Sequence, residues 1–116
     1  MALFPMNSVS GNAISLNSYR NTSVTNAVSD GKAAKIENIV IVTFFAHYNS
    51  ATTGTTPCFT LPTGYRPSQS VYGSCTIMDE NGVVRVGQPF VNSNGDIGYN
   101  STDKILRMTG TLVYDV

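Results

Sequence analysis

Hydrophobic positions along this chain recur mainly with a period of two, and clusters of Gly, Pro, Asn and Asp cut them into short runs. The strongest run is Ile36 to Tyr48, IENIVIVTFFAHY, where β-branched and aromatic residues fill both alternating faces. Such a run predicts a central strand buried on both sides, or one covered partly by another chain. Ala13 to Arg20 alternates partly, with Ile14 and Leu16 in phase and Tyr19 out of step, and predicts a first strand. Ser70 to Asp79 puts Val71, Gly73, Cys75 and Ile77 on one face, where the small residues call for close packing. Glu80-Asn81-Gly82 predicts a type I′ hairpin leading into VVRVG. Asn94-Gly95 predicts a second hairpin between Gln88-Pro89-Phe90-Val91 and Asp96-Ile97-Gly98-Tyr99, with Pro89 marking an edge. Lys104 to Met108 and Thr111 to Val116 read as two short strands around a turn at Thr109-Gly110. Asn49 to Thr56, NSATTGTT, holds nothing able to form a core and reads as an exposed loop. A helical period is confined to a single turn near Asp30 to Lys35. About seven to nine short strands separated by turn chemistry predict an all-β domain over residues 13–116, an antiparallel β-sandwich or jelly roll. Residues 1–12, with Pro5 and Gly11 and no sustained period, read as an N-terminal connection or linker.

Composition narrows the class of partner. Charged residues make up 12% of the 116, and seven basic side chains balance seven acidic ones. A surface of this kind is polar but nearly uncharged. It offers no clustered Lys and Arg to displace counterions, which excludes a nucleic-acid partner. The start MALFPM lacks the basic residues of a signal peptide, and no apolar run approaches the about 18 residues of a membrane span. The expectation is a soluble chain made in a cytoplasm, without membrane insertion. Cys58 and Cys75 lack the C-x-x-C spacing of a zinc site. They read as two reduced, largely buried thiols, or as a disulfide if their strands adjoin.

Candidate chemistry is sparse. A Ser-His-Asp arrangement would have to use His47, the sole histidine, which follows Phe44-Phe45-Ala46 at the expected strand end. A glycosidase needs a pair of carboxylates, one with its pKa raised in an apolar setting. Asp79, Glu80, Asp96 and Asp103 all sit beside turn residues, where water solvates them. Asn92-Ser93-Asn94-Gly95-Asp96 loosely suggests oxygen ligands for calcium, but Ile97 stands where an EF-hand loop needs glycine and no glutamate closes the set. A hairpin turn accounts for these residues. Neither an enzyme, a metal site nor a cofactor is expected.

The segment FTLPTGYRPS, Phe59 to Ser68, is a stiff corner: Pro62 and Pro67 fix φ, and Gly64 can take a positive φ. Leu61 anchors it in the core, Tyr65 can bury its ring while its hydroxyl finds a partner, and the Arg66 guanidinium can bond carbonyls at the bend. Leu61-Pro62-Thr63-Gly64-Tyr65-Arg66-Pro67 resembles the LPxGYRP corner of the C-terminal head domains of bacteriophage tail fibres and baseplate receptor-binding proteins. The resemblance extends from roughly Gly31 to Val116, through Lys35-Ile36-Glu37-Asn38-Ile39-Val40-Ile41-Val42, Val84-Arg85-Val86, Asn94-Gly95-Asp96-Ile97 and the closing Gly110-Thr111-Leu112-Val113-Tyr114.

The resemblance implies a β-sandwich head, usually trimeric, at the tip of a fibre, joined to upstream fibre or baseplate proteins and binding a polymer of the host surface. Its place would be the virion, at the tail tip or baseplate. The alternative is a purely structural tail, baseplate or capsid-decoration domain that only trimerises. Saccharide recognition needs an aromatic face for sugar C–H groups and planar polar side chains for hydroxyls. Tyr48 and Asn49 beside the 50–56 segment, with Tyr72, Arg85, Tyr99 and Asn100 near strand ends, are the candidates.

Overall fold

The computed structural model describes residues 13–20 and 27–116, and their side chains except at 27–29, 49–58 and 100–103. The N-terminal connection expected at 1–12 lies outside the described residues. Eight strands follow in chain order: β1 (Ala13–Ser15), β2 (Ala27–Ile36), β3 (Ile39–Thr60), β4 (Val71–Tyr72), β5 (Ser74–Asp79), β6 (Val84–Gly87), β7 (Pro89–Val91) and β8 (Asp96–Asp115). All their pairings are antiparallel.

Two long strands organise the molecule. β3 and β8 run side by side, with register shifts between His47 and Thr52, between Thr52 and Gly54, and between Pro57 and Phe59. Such shifts bend a strand and increase its twist. The first part of β3 and the last part of β8 lie in a six-stranded sheet of order β1-β2-β3-β8-β5-β6. Their other ends pair over Thr55–Thr60 and Asp96–Asn100, and β7 and then β4 extend that pairing into a second sheet. One core cluster joins the two sheets: Val42, Phe44, Met108 and Leu112 come from the first, Phe59, Val91 and Ile97 from the second. The architecture is an all-β, sandwich-like pair of antiparallel sheets.

Several boundaries differ from the sequence reading. Asn49 to Thr56 is no loop but the continuation of β3, because β8 supplies hydrogen-bonding partners to backbone that has little strand propensity of its own. Thr109-Gly110 is no turn but the middle of β8. Gly110 opposes both Phe44 and Cys75 there, and a Cβ on it would lie 2.6 Å from Cys75 Cβ. Asp30 to Lys35 is extended in β2 and not helical. Ala13 to Arg20 yields a three-residue strand and then a 3₁₀ turn, Leu16–Tyr19, which drops Leu16 into the core.

Ile36 to Tyr48 is interrupted by a two-residue turn at Glu37 and Asn38, where Glu37 takes φ 55°. Neither residue is a glycine, so the turn left no signal. Within β3 one face is buried, at Val40, Val42, Phe44, Ala46 and Tyr48, while Ile39, Thr43 and Phe45 on the other are exposed. In the single chain the strand is therefore covered on one side. Both hairpins form, in a different geometry from type I′: Gly82 and Gly95 take positive φ but Asn81 and Asn94 do not. Gly82 N donates to Asp79 O at 3.1 Å and Gly95 N to Asn92 O at 2.8 Å, as in a tight turn closed by a left-handed glycine. Pro89 is buried as the first residue of β7, which β4 flanks, so it marks no edge.

Candidate functional site

Antiparallel pairing sets directly opposed residues on one side of a sheet, so register sorts the six-stranded sheet into rows running across its strands. Gly31, Phe44, Gly110 and Cys75 form one row, whose side chains, where present, turn to the core. The rows on either side face outward. One contains Lys32, Thr43, Thr111 and Ser74, and the other Asp30, Phe45, Thr109 and Thr76, ending at Val86 on β6. All of these outward residues are exposed.

The rows enclose a groove that crosses the strands. Asp30, Lys32, Thr43 and Phe45 border a depression of about 360 Å³. A second, of about 430 Å³, runs past the Thr and Ser hydroxyls of β8 and β5 to Val86. Thr43 and Phe44 line both, so the two adjoin. At roughly 4.8 Å per strand the groove spans about 19 Å from β2 to β6. Asp30 Oδ1 accepts the Gly31 amide at 2.8 Å, and Phe45 exposes 36% of its surface.

The residues nominated from the sequence are not gathered in one place. Tyr48 is 1% exposed and belongs to the core, in phase with Val40, Val42, Phe44 and Ala46, so its ring is not offered to a ligand. Tyr72 is 62% exposed. It opposes Phe90, whereas Tyr99 opposes Pro89 one residue away, which turns the two tyrosines to opposite faces of the second sheet. Tyr99 packs against the core and lies over Gly87. Arg85 reaches back to Asp79 Oδ2 at 3.3 Å, an exposed ion pair. The side chains of Asn49 and Asn100 lie outside the described residues, and Asn100 pairs through its backbone with Thr55.

The FTLPTGYRPS corner is strapped from several sides. Leu61 is fully buried, its amide donates to Gly95 O at 2.9 Å, and its carbonyl accepts from Arg66 Nε at 2.8 Å. Gly64 takes φ 99° and follows Thr63 in a turn closed by Tyr65 N donating to Pro62 O at 3.2 Å. Lys35 Nζ donates to Gly64 O at 2.9 Å and lies 5.8 Å from the Tyr65 ring centroid. The Tyr114 hydroxyl donates to Tyr65 O at 2.6 Å, and burial pushes its pKa well above the usual tyrosine range. Pro67 is buried. These contacts hold the corner to the body of the sandwich.

Of the other chemically capable groups, Asp79 and Asp96 are occupied and Cys75 is enclosed. His47 sits within β3 opposite Arg107, and the strand continues beyond it, contrary to a strand-end position. Asp79 Oδ1 accepts the amides of Asn81 and Val83, both at 2.9 Å. Asp96 accepts from Thr60 Oγ1 at 2.7 Å and from Asn94 Nδ2 at 3.2 Å. Both acids thereby stabilise hairpins. Cys75 is a free, buried thiol whose pKa burial pushes up to about 11, which keeps it protonated and unreactive near neutrality.

Asp30, Lys32, Thr43 and Phe45 escaped the sequence reading. An available signal was the i, i+2 spacing of Asp30 and Lys32, which shares one face once the segment is read as a strand.

Among folds, the pair of antiparallel sheets corresponds to that of a receptor-binding head domain. One solved structure it resembles is the head domain of phage bIL170, described among the receptor-binding domains of lactococcal phages. The likeness has a TM-score of 0.60 at 13% identity, over 84% of this chain and 93% of that one. No protein-family model matches the chain, and no curated protein matches its sequence.

Proposed function

We propose that this chain is the receptor-binding head of a phage or prophage tail of the LPxGYRP type, placed at the tail tip or baseplate. It is non-enzymatic and attaches to a saccharide of the host cell surface. The observation that carries the reading is the head-domain likeness, which spans nearly the whole of both chains. The corner supports it from within: its bonds to β2, β8 and the second hairpin make it scaffold, which leaves recognition to the open surfaces. Asp79 and Asp96 are engaged by backbone amides and hydroxyls that fold the hairpins, a structural use of both carboxylates.

The head is a homotrimer joined to upstream fibre or baseplate proteins. Ile39 and Val113, 38% and 57% exposed, stand with half-buried Ile41 at one end of the six-stranded sheet's outer face, and a symmetric assembly buries such a patch. Light scattering after size exclusion should give three times the 12.4 kDa of the chain. Pull-down with intact bacteria from several hosts tests attachment. Binding to some hosts and not others is the expected outcome. Stable assembly without binding to any host would make the chain a structural tail or decoration module, and turnover of a labelled capsular polymer would make it an enzyme.

A further inference from the structure

We propose that the groove across the outer face of the six-stranded sheet is the seat of the receptor, and that it takes an uncharged oligosaccharide laid across β2, β3, β8 and β5. The inference rests on the saccharide-binding reading above. A sugar ring has an apolar C–H face and an edge of hydroxyls, and the first depression offers both complements side by side. Phe45 supplies the exposed aromatic face, and Asp30, directly across from it, supplies a carboxylate. One Asp30 oxygen is held by the Gly31 amide, which fixes the side chain, and the other has no partner among the described residues. Lys32 and Thr43, opposed in the next outward row, add donors, and Lys32 has no partner among the described residues either. Asp30 accepts, Lys32 donates and the threonine does both, which is the pattern a polyol needs.

Two depressions side by side argue for a chain of sugars over a single unit. Beyond Phe45 the walls carry Thr109 and Thr111 on β8, then Ser74 and Thr76 on β5, so hydroxyl groups persist along its length. Among the residues lining the groove, one carboxylate, Asp30, balances one ammonium, Lys32. A second copy of the chain is the poorer occupant, because protein interfaces deplete Asp, Lys and Ser from their buried centres. The apolar patch at Ile39 and Val113 lies at one end of the face, in the rows next to Thr43 and Thr111.

The test is an array of neutral and charged bacterial capsular and cell-wall polysaccharides, read with the full chain and its variants at low and high salt. Asp30→Asn, and Thr43→Val with Thr109→Val, remove recognition groups from exposed strand positions without removing strand propensity. Each should weaken binding to a neutral polysaccharide by roughly tenfold or more, as loss of hydrogen bonds to a charged group or of two hydroxyl contacts requires. Melting temperature and assembled mass should not change, and added salt should have little effect. Variants that bind as the wild type does, while Tyr72→Ala loses binding, would move the receptor to the second sheet and overturn the groove but not the saccharide reading. Binding confined to charged polymers and abolished by salt would overturn the uncharged ligand. A wild-type chain that attaches to bacteria yet binds no polysaccharide would overturn both readings.

Discussion

Replacing Gly110 with alanine should destabilise the domain even though the position looks like a turn in the sequence. Gly110 stands in the middle of β8, and an added Cβ would meet Cys75 Cβ at 2.6 Å, Ser74 O at 2.9 Å and Phe44 Cζ at 3.1 Å. Two of these contacts are shorter than real Cβ atoms tolerate, and one is to backbone, so β5 or β8 has to move. Overpacking an interior by one methyl costs roughly 1–3 kcal/mol. Removing a glycine's freedom from the unfolded chain offsets about 0.4–1 kcal/mol. With both ranges taken near their middles, the net loss is about 1–2 kcal/mol. With unfolding entropy near ~2.1 cal/mol/K per residue over 116 residues, each kcal/mol is worth about 4 °C, so Tm should fall by about 4–8 °C.

Differential scanning calorimetry of wild type and variant measures this directly. A second variant sharpens the argument: Cys75→Gly removes the nearest atom, so in a double-mutant cycle it should rescue part of the Gly110→Ala loss. Rescue stays partial because the Ser74 carbonyl remains. An unchanged Tm for Gly110→Ala, or strictly additive effects with Cys75→Gly, would refute the close approach of β5 and β8 at this point.

Two further predictions concern the corner and its surroundings. At Gly64 a Cβ would meet nothing within 4 Å, so Gly64→Val should act through its φ of 99° alone, costing roughly 1–3 kcal/mol in thermal stability. Wild-type melting in that variant would mean the corner is drawn wrongly. Stability should also decline at alkaline pH, since burial raises both the Tyr114 hydroxyl and the Cys75 thiol above their ordinary values. A raised pKa means the folded state holds its proton more tightly, so the Cys75 contribution is complete below pH 9.0 and is lost as the pH rises towards about 11, with Tyr114 following at higher pH. Urea midpoints measured from pH 7 upward should fall above pH 9.0, less steeply in Tyr114→Phe at the most alkaline end, and a flat profile would contradict the burial of these groups.

The alternation of Val40, Val42, Phe44, Ala46 and Tyr48 and the paired glycine hairpins made an all-β fold legible, because local sterics and period-two patterning act on neighbours in the chain. The stiffness of the LPTGYRP corner was legible for the same reason. What alternation could not say is which face of a strand meets the core, and so Tyr48 read as a surface aromatic although it shares the buried phase. Asn49 to Thr56 and Thr109-Gly110 read as breaks because their own propensities are weak. In the folded chain β3 and β8 satisfy each other's backbone across a long sequence separation, and that pairing overrides propensity. The groove belongs to the same category. Asp30 and Lys32 come from β2, Thr43 and Phe45 from β3, Thr109 and Thr111 from β8, and nothing in any one segment marks it as a partner of the others. Register between strands distant in sequence brought them together, and register is set by which apolar rows must be buried at once.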